Sequence, residues 1–193
     1  MKKFVGHWTG GGYQASEYER AHYHGLVEGD GRRVEGDKAP EANKSPLDAN
    51  YVRHAGGFNS DAIGRAICCM GGDDVRESPL NTGKYPPTKA QWDELCKWAA
   101  EDCQTYGIKI DQDHVVLHAE IKSRWGRGVY KWDITVVPGH AGRLSAKTAG
   151  DIFRDQVRKE FDALGSTHIG SEPKASPFAA LFAAIASIFG GKK

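Results

Sequence analysis

The feature that most limits how this chain can fold is alternation: between Lys3 and Leu164, short apolar runs of strand length trade places with capped helical stretches. Residues 3–8, 62–70 and 115–117 read as strands, and 23–28 and 32–35 flank a Gly-Asp-Gly hairpin signal. Residues 16–22, 88–106 and 148–164 read as helices. The last carries Phe153, Val157, Phe161 and Leu164 on one side. Strands alternating with helices predict an α/β fold, a single domain with a central mixed β-sheet flanked by helices.

The helix ends are written locally. Ser16 is an N-cap with Glu17 and Glu19 in the first turn, where acidic side chains favour the helix dipole. Thr88 caps the long helix, Trp92, Leu95, Cys96, Ala99 and Cys103 fall at helical spacing, and Gly107 stops it. The stretches 36–50, 71–87 and 122–132, rich in Gly, Pro or polar residues, are expected as loops, the second as the rim of a groove. The domain is expected over residues 1–164, a linker over 165–176 and an apolar helical tail over 177–193. The apolar part of that tail is about 13 residues, too short to cross a hydrocarbon core of roughly 30 Å. It suits either docking onto the domain or lying in a membrane interface.

Composition removes some classes of function. Lys+Arg number 26 against Asp+Glu 25, with no basic run, so no nucleic-acid partner is expected. Cys68, Cys69, Cys96 and Cys103 show no easy pairing. The first two are adjacent in an apolar run, and the others lie two turns apart on one helix face, which fits a reducing compartment. Lys2 and Lys3 run straight into Phe4-Val5-Gly6-His7 with no long apolar stretch, so synthesis in the cytoplasm without a signal peptide is expected.

Three residues stand out chemically. His7 ends a strand beside a Gly-rich turn, His118 ends another and is followed by Glu120, and Asp133 lies 15 residues further on in Lys131-Trp132-Asp133. Two imidazoles and a carboxylate make a sound catalytic zinc set when a fourth position stays open. Spacing alone does not identify such a set, because a histidine at a strand end is more often structural.

Six short motifs occur in a fixed order. They are Phe4-Val5-Gly6-His7-Trp8-Thr9-Gly10; Tyr23-His24-Gly25-Leu26-Val27 with Gly29-Asp30-Gly31; His54-Ala55-Gly56-Gly57 with Asn59 and then Ala62-Ile63-Gly64; Pro87-Thr88 with Gln91; Leu117-His118-Ala119-Glu120; and Lys131-Trp132-Asp133. In that order, over roughly residues 3–139, the chain resembles the zinc-dependent N-acetylmuramoyl-L-alanine amidase family. That family includes phage amidase-type lysozymes, a cytosolic anhydro-muropeptide amidase and the animal peptidoglycan recognition proteins. The resemblance implies zinc held by His7, His118 and Asp133, a catalytic Lys131 facing the carbonyl oxygen, and a catalytic Tyr23 near the metal. Beside these, His24, His54, Asn59 and Glu120 are candidate substrate-binding or supporting residues: His24 suits a structural hydrogen bond or a substrate contact, His54 a loop anchor or the groove lining, and Glu120 either orients His118 or is exposed.

One position departs from the pattern. Many members carry a glutamate general base in an Ile-Gly-x-Glu segment, and Ile63-Gly64-Arg65-Ala66 puts Ala66 there. This shifts proton transfer toward Tyr23 or toward the metal site alone.

The resemblance implies hydrolysis of the bond between N-acetylmuramic acid and L-alanine in peptidoglycan. A phage endolysin is the expected setting, reaching the wall through a separate pore and contacting membrane through its tail. A cytosolic muropeptide-recycling amidase and a non-catalytic wall-binding protein are the alternatives. A monomer is expected.

Overall fold

A computed structural model describes residues 1–169. Its framework is a five-stranded sheet of β1 (Lys3–Trp8), β2 (Gly25–Val27), β3 (Arg33–Glu35), β4 (Ala62–Ile67) and β5 (Val115–Leu117), in the order β3-β2-β4-β1-β5. β1 runs parallel to both β4 and β5, and β2 parallel to β4; only the β2–β3 hairpin is antiparallel. The helices are α1 (Glu17–His22), α2 (Lys89–Tyr106), α3 (His118–Trp125) and α4 (Ala146–Ile169), with a 3-10 turn at Pro40–Asn43. The mixed sheet flanked by helices is the architecture that the alternating pattern predicts. Residues 1–161 form one unit, which contains the sheet; residues 162–169 carry the end of α4.

The local signals act as read. Ser16 Oγ accepts the Glu19 backbone N–H and Glu19 Oε2 accepts that of Ser16, a reciprocal cap that fixes the start of α1. Thr88 and Gln91 do the same for α2, and Gly107 at φ 63° ends it in the left-handed region that glycine adopts without a Cβ penalty. Gln91 also reaches beyond its own helix. Its buried Nε2 donates to the carbonyls of Val27 and Cys68, pinning α2 to the ends of β2 and β4.

Both faces of the sheet are covered. On one, Phe4 packs on Phe153 of α4 at 5.9 Å between ring centroids, and Phe153 meets Trp92 of α2 edge-on at 5.5 Å. On the other, Val5, Val116 and Ala62 pack with Ile121 of α3 and with Ala55 and Phe58 from the loop before β4. Phe153 is fully buried, so its truncation to Ala is expected to cost about 3–5 kcal/mol. The four cysteines are unbridged and buried, and burial pushes the Cys68 and Cys103 thiols up to about 12.

Several boundaries differ from expectation. β4 stops at Ile67, and beyond it the pairing with the chain after β1 continues only as an isolated parallel bridge between Met70, at φ 65°, and Gly11. Residues 122–125, expected in a loop, form the second half of α3, which ends at Gly126 in the left-handed region. The helix forms because Glu120 Oε2 accepts the Leu117 backbone N–H, supplying a cap from inside the first turn. α4 runs to Ile169, so residues 165–169, expected to begin a linker, continue the helix. The rest of that linker and the tail at 177–193 lie outside the described residues. No helix among the described residues is long and apolar enough to cross a membrane.

Candidate metal centre

Three elements deliver the three side chains. His7 stands near the carboxyl end of β1. Gly6 pairs with Leu117 across β1 and β5, so His118, the next residue after β5, arrives beside His7. Asp133 comes from the loop after α3. Its carbonyl accepts the Ala119 N–H at 2.6 Å, while Ile134 and Val137 behind it are buried. Trp132 meets Trp8 edge-on at 4.8 Å between centroids, which anchors the same loop to the end of β1. The site therefore sits at the carboxyl ends of neighbouring parallel strands, where open α/β sheets place their ligands.

The donor atoms form a triangle. His7 Nδ1 lies 3.1 Å from His118 Nδ1 and 3.3 Å from Asp133 Oδ2, and His118 Nδ1 lies 3.1 Å from Asp133 Oδ2. Tetrahedral zinc with bonds near 2.0–2.1 Å holds its ligand atoms about 3.3 Å apart. The triangle fits that spacing, and it is the one group among the described residues whose His, Cys, Asp or Glu atoms converge in this way.

Charge states suit a metal. Burial takes the His7 imidazole down to about 4, against a smaller upward pull from Asp133, so the ring is neutral near pH 7. Burial raises the Asp133 carboxyl, but His118 and His7 beside it more than offset that and hold it well below the usual carboxylate range. Neutral imidazole and ionised carboxylate are the forms that bind metal.

The triangle opens into a groove of about 400 Å³ lined by Tyr23, Lys131, Trp132, Trp8, Arg53 and His54 among others. Tyr23 lies 5.2 Å from the His7 ring by centroids, and burial, then the Asp133 charge, raise its hydroxyl, keeping it protonated. Lys131 is exposed on the groove wall. Ala66 pairs with His7 in register on parallel strands, so both side chains leave the same face. The strand neighbour of His7 is thus a buried methyl group.

The remaining expected residues divide. His54 reaches the site, with its Nδ1 3.0 Å from His7 Nε2. His24 is buried behind it, and its Nδ1 accepts the Gly64 N–H. Asn59 turns inward, its Oδ1 accepting the N–H groups of His54 and Ala55. Glu120 does not reach His118; it faces Arg154 of α4 in the core. Arg53 and Thr9 also line the groove; Thr9 falls within the first motif, while the sequence marks Arg53 only by its adjacency to His54. Trp125, flanking the region in sequence, packs on Phe58 at 4.8 Å.

Comparison with known proteins adds a family and a fold. The family model for N-acetylmuramoyl-L-alanine amidase matches residues 1–150. No curated protein matches in sequence. Among solved structures, the Staphylococcus aureus hydrolase AmiA in complex with its ligand aligns with a TM-score of 0.53 and 16% identity, over 83% of this chain and 72% of that one. This likeness extends the fold assignment. A bacteriophage endolysin from Thermus scotoductus aligns with a TM-score of 0.41 and 19% identity, over 67% and 79% of the two chains. A complex of two peptidoglycan recognition protein ectodomains with tracheal cytotoxin gives 0.40 and 15%, over 67% and 85%.

Proposed function

The chain belongs to the N-acetylmuramoyl-L-alanine amidase family, and from that premise we propose that it is a zinc hydrolase cutting the amide between the lactyl group of N-acetylmuramic acid and the first L-alanine of the peptidoglycan stem. The observation that carries this reading is the triangle of His7, His118 and Asp133 donor atoms, spaced as zinc ligands and opening into the groove.

Zinc held there supplies Lewis acidity, polarising an amide carbonyl and making water acidic enough to react near neutral pH. The chain's own residues supply the rest. Lys131, on the groove wall two residues from Asp133, places an ammonium where the carbonyl oxygen gains negative charge. Tyr23 brings a protonated hydroxyl to the same space and is placed to pass a proton to the departing amine. With Ala66 beside His7, no strand carboxylate shares that work.

The deciding experiment is mass spectrometry of digested sacculi. New L-alanine amino termini without new reducing sugar ends are expected, and His118→Ala or Asp133→Ala should abolish them. Wall binding without release of stem peptides would favour a non-catalytic protein.

The biological setting we propose is wall digestion by a phage endolysin, made in the cytoplasm and passed to the wall through a separate pore. Intact sacculi are then the preferred substrate; preference for small anhydro-muropeptides would point to recycling. The tail at 177–193, with Phe178, Leu181, Phe182, Ile185 and Phe189 spaced as an apolar stripe and Lys192 and Lys193 at its end, is proposed to touch membrane. Deleting it should spare activity on purified wall and weaken binding to anionic vesicles.

A further inference from the structure

His7 can turn only one of its ring nitrogens to a metal, and the geometry selects Nδ1, which faces His118 and Asp133. A neutral imidazole that offers Nδ1 as a lone pair carries its hydrogen on Nε2. That Nε2 lies 3.0 Å from His54 Nδ1. On the far side of the His54 ring, Nε2 lies 3.4 Å from the carbonyl oxygen of Ala62, a group that can only accept. The carbonyl draws the His54 hydrogen to Nε2 and leaves its Nδ1 lone pair facing His7. One assignment satisfies every atom: His7 Nε2–H donates to His54, and His54 Nε2–H donates to Ala62.

We propose that His54 is a positioning residue whose ring accepts the Nε2 hydrogen of His7 and so fixes the tautomer and orientation in which His7 Nδ1 meets the metal. The inference rests on the zinc reading above. Metal-bound histidines usually give their second N–H to a carboxylate, a backbone carbonyl or water. Here a second imidazole takes that place and passes the polarity on to a strand carbonyl.

The surroundings are built around that ring. Gly64 of β4 lies directly beneath it, and a Cβ there would fall 2.3 Å from His54 Cγ. Asn59 Oδ1 accepts the backbone N–H of His54 at 3.1 Å and that of Ala55 at 2.7 Å. Asn43 ties the loop shut from behind: its Nδ2 donates to the carbonyls of Asn59 and Val52, and its Oδ1 accepts the Val52 N–H. Both asparagines are buried. The His-Ala-Gly, Asn and Ile-Gly segments, separate in sequence, therefore form one device that presses a single imidazole against His7.

The test is zinc affinity of the whole chain, measured without substrate by competition with a chelator. His54→Phe keeps the ring's bulk and removes the acceptor; zinc is expected to bind about 10–100-fold more weakly. His54→Asn places an oxygen near the position of Nδ1 and should restore most of that loss. Wild-type affinity in the Phe variant, or an Asn variant no better than Phe, overturns the proposal. Should His54→Phe fail to fold, nitrogen-15 spectra of the zinc-loaded wild type decide it. His7 should carry its hydrogen on Nε2 and His54 on Nε2; a hydrogen on His7 Nδ1, or on His54 Nδ1, overturns it. A wild-type chain that binds no zinc overturns the underlying reading as well, whereas tight wild-type binding unaffected by either variant removes only the role of His54.

Discussion

Helix α3 serves two buried polar clusters, two residues apart, and they are built on opposite principles. At Glu120 both carboxylate oxygens are met by donors. Arg154 donates to both carboxylate oxygens at 3.0–3.1 Å and to the Val115 carbonyl, and the Leu117 N–H completes the set. Arg65 repeats the pattern on β4, with two bonds to Asp102 of α2, one to the His24 carbonyl and its guanidinium 3.7 Å over Trp98. At His118 the count fails. Three mutually close atoms have at most one hydrogen to share once His7 gives its own to His54. A buried cluster whose hydrogens and lone pairs balance is architecture, and one with surplus lone pairs converging on a point is a place for a cation.

That contrast can be broken in four ways. The largest effect is expected from His118→Ala or Asp133→Ala. Cleavage of sacculi should fall by at least about a thousandfold, roughly 4 kcal/mol of barrier, and a chelator should reproduce the loss in the wild type until zinc is returned. Retained cleavage would show that the converging lone pairs are not the source of activity.

Arg154→Met addresses the balanced cluster. It removes the cation that hydrogen-bonds the buried Glu120 carboxylate and leaves only Arg124, 3.8 Å away, which should cost about 3 kcal/mol of stability in denaturant titrations. The rate per folded molecule should stay near wild type. A variant as stable as the parent would mean that the pair contributes nothing to the fold.

Lys131→Met comes next. A turnover loss of about 10²–10³, corresponding to about 2.7–4 kcal/mol, with zinc affinity unchanged, would separate charge stabilisation on the groove wall from metal binding. Equal losses in zinc affinity would merge the two.

The smallest effect concerns pH. His24 is 1% exposed, and burial, with the Arg65 charge behind it, lowers its imidazole to about 4 from an ordinary 6.5. The unfolded chain takes up the proton first as pH falls, so the contribution of neutral His24 is complete above pH 6.5 and is lost progressively toward pH 4. Between pH 7 and pH 5 this amounts to about 2 kcal/mol. His24→Asn, which keeps an acceptor for the Gly64 N–H, should lose that much less stability over the same interval in unfolding titrations. Parallel acid curves for the two proteins would assign the sensitivity elsewhere.

What could be read from the sequence follows the range of the interactions. Ser16 with Glu19 and Thr88 with Gln91 cap helices across three residues, so α1 and α2 were legible to the residue at their starts. β1 and β4 were legible because their apolar runs are buried on both faces, whereas β3, which has no buried residue, was legible only through the turn before it. The order of motifs carried His7, His118 and Asp133. α3 was misread because its first residue also ends a strand pattern and its cap comes from a glutamate inside the helix. The partner of Glu120 lies 34 residues away on α4, and that of His7 Nε2 lies 47 residues away in a polar loop. No local spacing encodes either meeting; both depend on where separate elements pack.

β5 passes into α3 without an intervening residue, Leu117 closing the strand and His118 opening the helix. An α-helix turns about 100° per residue. One residue inserted at that junction would swing His118 away from His7 and, by the same rotation, carry Glu120 away from Arg154. The seam is thus intolerant of any change in length, while the exposed stretch at 44–51 can lengthen or shorten with little consequence. In a lineage of such chains, insertions should accumulate in that stretch and be absent between residues 117 and 118.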